Sequence, residues 1–123
     1  MKVTPEHNQR MARLGFAKVY PLYLDKITNK GRTKKELNQV ITWLTGFDAT
    51  KIKELLKREV TFEEFFSQAD INPAVVYITG VVCGYRIEEI NNDTTRQVRY
   101  LDKLVDELAK GRPMEKILRT VEE

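Results

Sequence analysis

One cysteine and one histidine are all this chain has of the residues that most often hold zinc or close disulfides. Cys83 alone cannot form an intramolecular bridge, and one cysteine with one histidine excludes the usual zinc sets of those residues. No metal and no other cofactor is expected, and a reducing cytoplasm fits such cysteine usage. Long apolar runs are also missing. The uncharged stretch from Ala74 to Tyr85 falls short of the roughly 20 residues that span a bilayer, and Arg86, Glu88 and Glu89 follow at once. Met1 to Arg10 has no apolar core behind its positive charge, so neither a secretory signal nor a membrane partner is expected. Charge of one sign does not dominate: 21 basic and 18 acidic residues are interleaved, for a net charge of +3. That lean by itself does not argue for nucleic acid. Repeats, low-complexity tracts and Pro/Gly/Ser-rich linkers are absent, so residues 1–14 read as a loosely ordered arm and 15–123 as a single helical domain.

What is present is mostly helical periodicity. Phe16, Val19, Tyr20, Tyr23, Leu24 and Ile27 share one face of a first helix, in which Pro21 marks either a kink or the true first turn. Thr33 with Glu36, and Thr61 with Glu64, have capping-box spacing. Gly46 ends the helix carrying Leu37, Val40, Ile41 and Leu44, with Trp43 beside that stripe, and Asp48 caps the next, with Ile52, Leu55 and Leu56 inward. Phe62, Phe65, Phe66 and Ala69 line a fourth. Asp93 or Thr94 is placed to cap a long helix with Val98, Leu101, Leu104, Val105 and Leu108 inward and Arg99–Asp102, Lys103–Glu107 and Asp106–Lys110 outside. Pro113 opens a last helix with Met114, Ile117, Leu118 and Val121 as its stripe, leaving Glu122 and Glu123 frayed.

The stretch from Asn72 to Ile90 reads as the axle. A segment without charge all the way round is buried all the way round, and Asn72 as N-cap with Pro73 behind it opens a helix over about 73–90. The expected fold is therefore all-α, a compact bundle of six or seven short helices around that buried central helix. Val75, Val76, Ile78, Val81 and Val82 favour strand, however. The competing reading is a hairpin with strands 75–78 and 81–85 joined at Thr79-Gly80. In the helical frame Gly80 and Gly84 share a face and mark a helix crossing.

Few residues are placed for chemistry. Cys83 sits among valines and glycine and reads as a buried, inert thiol. Tyr20, Tyr23, Tyr85, Arg86, Glu88 and Tyr100 form a candidate ligand pocket beside the central segment, with Arg99 nearby. The plainer reading packs each tyrosine ring in the core with its hydroxyl at a polar edge. Lys30, Arg32, Lys34 and Lys35 surround a helix N-terminus, whose free N–H groups and dipole favour an anion. The same cations also read as ordinary surface residues. Thr33–Leu44 and Thr50–Leu56 make a helix–turn–helix compatible with DNA, as any helical domain contains.

Phe16-Ala-Lys-Val-Tyr-Pro-Leu-Tyr23, Ile41-Thr-Trp-Leu-Thr-Gly46, Ile78-Thr-Gly-Val-Val-Cys-Gly84 and Arg99-Tyr-Leu-Asp-Lys-Leu104 carry a family resemblance. With Lys30-Gly-Arg-Thr33, Arg86-Ile-Glu88 and Asp106-Glu-Leu-Ala-Lys-Gly111, they make the chain from His7 onward resemble the small bacterial proteins of Domain of Unknown Function family twenty-two hundred. The resemblance implies a bacterial, cytoplasmic helical protein and brings no catalytic residue. The expectation is a non-catalytic binding or assembly module that self-associates as a homodimer, since Leu22 and Trp43 lie beside their stripes and leave apolar surface to cover. Two alternatives stand beside it: a nucleic-acid-binding protein using Arg32–Lys35, and a small enzyme with a Tyr/Arg/Glu pocket.

Overall fold

The computed structural model describes residues 2–121; the expected fraying of Glu122 and Glu123 lies outside the described residues, as does Met1. Seven α-helices occur among the described residues: α1 (Pro5–Arg13), α2 (Phe16–Thr28), α3 (Lys34–Thr45), α4 (Ala49–Lys57), α5 (Phe62–Ser67), α6 (Asp93–Ala109) and α7 (Met114–Ile117). Between α5 and α6 lie a 3₁₀ turn at Pro73–Tyr77, two short strands, β1 (Val81–Val82) and β2 (Tyr85–Arg86), and a second 3₁₀ turn at Ile87–Glu89. The all-α bundle stands; its axle is a different element.

That axle is α6. Its 17 residues touch α1, α2, α3, α5, α7 and β1, and Thr95, Val98, Arg99, Tyr100, Leu101, Leu104, Val105, Glu107 and Leu108 are buried along it. An amphipathic helix with a broad apolar stripe can be surrounded on several sides while its polar residues make internal bonds. Asp93 and Thr94 do not cap it. The Asn92 side chain does, accepting from the Thr95 N–H at 3.0 Å.

The expected central helix over 73–90 does not form. Asn72 caps and Pro73 leads, as their types dictate, but the turn they open is 3₁₀ and lasts five residues. Gly80, Cys83 and Gly84 take φ of +97°, +52° and +82°, which a right-handed helix cannot contain. Cys83 and Gly84 are the two central residues of a hairpin turn with positive φ at both, the arrangement whose twist matches the flanking strands. The register pairs Val81 with Arg86 and Val82 with Tyr85, so the hairpin is shorter than the competing reading and turns four residues later, at Cys83-Gly84. The glycines serve turns, not a helix crossing. Lack of charge over Ala74–Tyr85 predicts burial only in part: Ala74, Ile78 and Val82 are buried, whereas Val76, Tyr77 and Val81 are 68%, 44% and 48% exposed.

Other local signals hold. Both capping boxes are closed, Thr33 with Glu36 and Thr61 with Glu64, and Gly46 ends α3 with φ +77°. Asp48 caps α4 through the Lys51 N–H at 2.8 Å. Pro21 lies inside α2, which runs from Phe16 to Thr28. Residues 1–14, expected as a loose arm, contain α1, in which His7 and Met11 are buried; Asn8 accepts from the Thr95 hydroxyl of α6 at 2.7 Å. All five phenylalanines pack as one cluster, with Phe16 stacked on Phe65 at 4.2 Å. A backbone bridge closes the cluster where the α1–α2 junction meets the α4–α5 junction: Phe16 N–H donates to Val60 and Phe62 N–H to Leu14.

Candidate functional site

The six tyrosine-pocket candidates do not share one pocket. Tyr20 donates to Asn38 Oδ1 at 2.7 Å on the α2–α3 contact, and Tyr100 is buried on α6. Arg86 and Glu88 are exposed and face each other at 3.7 Å, and neither is bonded to a tyrosine. Glu88 instead accepts from the Gly80 N–H at 2.6 Å, which fixes the base of the hairpin and holds its carboxyl below the usual carboxylate range.

Tyr23 and Tyr85 do meet, through Arg99. The Tyr23 hydroxyl donates to Asp102 Oδ1 at 2.5 Å and Arg99 Nη1 donates to Asp102 Oδ2 at 2.8 Å. Arg99 lies over the Tyr85 ring, 4.9 Å from its centroid, and its Nη2 reaches His7 Nε2 at 3.3 Å. His7 and Tyr85 are themselves in ring contact at 4.9 Å. The result is a polar seam joining α1, α2, α6 and the hairpin. The sequence reading grouped Tyr23, Tyr85 and Arg99 and paired Arg99 with Asp102; His7, from the remote α1, carried no such signal.

The seam's electrostatics favour structure over proton transfer. Burial, then the charge and hydrogen bond of Asp102, push the Tyr23 phenol well above its ordinary value, so it remains a neutral donor. Burial, then the cations Arg99 and Arg10, push the His7 imidazole down. Cys83 is exposed at the hairpin tip, which corrects the expected burial, with its Sγ 4.0 Å from Asp102 Oδ2. Desolvation, then that carboxylate, raise the thiol, which disfavours the thiolate a nucleophile needs. Among the described residues no group of three His, Cys, Asp or Glu is placed to hold a metal ion.

The anion-site candidates divide. Arg32 is committed internally, bridging Glu36 at 2.8 Å and donating to the Arg112 carbonyl at 2.8 Å. Lys34 and Lys35 stand at the first turn of α3 and border an open groove of about 620 Å³. Its walls include Asn38, Gln39, Thr42, Trp43, Ala49 and Leu118. The Trp43 indole N–H donates to the Arg119 carbonyl at 3.0 Å. Arg119 in turn grips the buried Glu107 carboxylate with two bonds of 2.7 Å, and Arg112 adds a third at 2.8 Å. Glu107 therefore faces the C-terminal segment rather than Lys103, whose ammonium reaches the Val81 carbonyl at 3.5 Å. The Asp106–Lys110 pair forms as expected, at 2.9 Å. On α4, Lys51 and Arg58 lean on Glu54 at 3.5 and 3.4 Å, which draws charge from the basic face a DNA-reading helix would present.

A family model, described as an uncharacterized protein conserved in bacteria (DUF2200), matches residues 10–119. The chain belongs to DUF2200. This DUF2200 chain is similar to a protein solved as "Crystal structure of uncharacterized protein SP1917": identity is 40%, the match covers 89% of this chain and 91% of that one, and the TM-score is 0.84. No curated protein matches the chain. No helix among the described residues is long and apolar enough to cross a membrane.

Proposed function

We propose that this protein is a non-catalytic assembly module that pairs with a second copy of itself through the valine-rich tract and the neighbouring flank of α2. One observation carries the reading: apolar side chains remain uncovered where the hairpin region meets water. Val76, Tyr77 and Val81 are 68%, 44% and 48% exposed within six consecutive positions. Leu22 is 65% exposed on the same face of α2 as Lys26, whose ammonium reaches Asp106 at 3.4 Å beside the hairpin. Grouped apolar side chains, unlike scattered ones, mark association surfaces, and a face shared by identical copies closes readily into a two-fold dimer. In the polar seam Tyr23 is held as a neutral donor and the Cys83 thiol is raised above its ordinary value, which supports binding over catalysis.

Light scattering on purified protein tests this. A dimer mass at tens of micromolar is expected, with Val76→Asp and Val81→Asp each weakening the dimer about tenfold or more through an uncompensated charge in the interface. A wild-type monomer at that concentration, or a dimer indifferent to both substitutions, overturns it. Far-UV circular dichroism guards against unfolded variants.

A further inference from the structure

We propose that residues 113–119 form a strap that lifts from the body of the protein as one piece, with the Glu107 carboxylate as its clasp. Glu107 stands on α6 with its side chain 7% exposed, and both cations that reach it belong to the C-terminal segment. Arg112 donates to it from the root of the strap, and Arg119 grips both of its oxygens from the far end. Between the two, Ile117 is fully buried, and the Trp43 N–H of α3 is given to the Arg119 carbonyl. One acidic side chain therefore fastens both ends of the segment.

Three features poise the strap to open. Its helix, α7, is four residues long, too short to persist once undocked, so the segment is either seated or unravelled. The clasp is a buried ion pair, whose attraction is largely offset by desolvation, and opening strands no charge because Glu107 and Arg119 return to water together. The root stays in place when the rest leaves: Gly111, at φ +83°, turns the chain off the end of α6, and Arg32 holds the Arg112 carbonyl at 2.8 Å. α6 meanwhile keeps α1, α2, α3 and α5 around it. Segments that move in binding and regulation come from such weakly held parts of a fold. Lifting the strap uncovers the seat of Ile117, the Trp43 N–H and the Glu107 carboxylate in one step. The result is an acidic and apolar face that the closed chain does not present, and it does not depend on the pairing proposed above.

Hydrogen exchange of the intact protein in low urea tests this. The bonded amides of Ile117 and Leu118 are expected to exchange together, about tenfold or more faster than those of Leu104 and Leu108 in α6. Their rates are expected to change little with urea, because opening exposes little surface, whereas the α6 amides follow the steep slope of global unfolding. Glu107→Gln, which leaves two arginines facing a neutral group, is expected to speed the strap amides about tenfold further. Arg119→Gln, which breaks the clasp from the other side, is expected to act in the same direction. Trp43 is the chain's one tryptophan and touches the strap, so in both variants its red shift is expected at lower urea than the loss of helix seen by circular dichroism. Two results overturn the proposal: strap amides that share the rate and urea slope of α6 in the unaltered protein, or variants whose strap exchange is unchanged and whose two transitions coincide.

Discussion

Tyr23, Arg99 and Cys83 all turn toward the carboxylate of Asp102, but their contributions differ in kind. The tyrosine hydroxyl is one neutral donor. Replacing it by Tyr23→Phe removes a bond while leaving Asp102 paired with Arg99, and a loss of about 1 kcal/mol is expected. Arg99 is the carboxylate's counter-charge and also lies over Tyr85. Arg99→Met leaves Asp102 largely buried and unpaired, for an expected loss of about 3 kcal/mol. Urea midpoints of the two variants, measured side by side, check that ordering; equal losses would mean that Arg99 acts only as a spacer. Arg99 Nε is the one fully buried side-chain nitrogen or oxygen without a hydrogen bond among the described residues, so the seam is already short of one acceptor.

At the scale of elements, what sequence made legible was local chemistry. Capping boxes at Thr33 and Thr61, the cap at Asp48 and the left-handed Gly46 are read correctly because each depends on residues within four positions. The tract from Pro73 to Ile90 is misread because lack of charge specifies no conformation and, at Val76, Tyr77 and Val81, not even burial, and neither strand is long enough to show an alternating pattern. The signal was in the turn: Cys83-Gly84 before the Tyr85 strand is where φ becomes positive at both centres. A non-glycine residue held there costs energy, and asparagine tolerates the conformation better than cysteine. Cys83→Asn is therefore expected to stabilise the protein by about 1 kcal/mol. Thermal melts check it, and a destabilised variant would show that the thiol's packing outweighs backbone strain. Of the candidate site, the lysines bordering the groove were legible from charge and helix position. Their partner surface was not, because Leu118 reaches Trp43's side of α3 only through the Glu107 clamp on Arg119.

For the whole molecule, α6 is the element around which the fold assembles, and the N-terminal α1 is held to it by His7, Asn8 and Met11. That docking is pH-sensitive. His7 faces Arg99 and Arg10 and the Tyr85 ring, and its folded value is depressed below the ordinary 6.5. The unfolded chain thus takes the proton first, and stability is lost as pH falls through 6.5 toward the folded value. Glu36 and Glu88 lie below their ordinary 4.5 and weaken the fold only under more acidic conditions. Denaturant unfolding is expected to show stability declining as pH falls below 6.5, a decline that His7→Gln flattens; an unchanged decline would place the titration elsewhere. The same docking sets an order of events on the ribosome. The segment that becomes α1 is translated some ninety residues before its partners Thr95 and Arg99. Until then His7 and Asn8 lack their α6 partners and α1 has chiefly α5 to pack on, so a nascent chain halted before Asn92 should leave α1 more open to protease than the finished chain does.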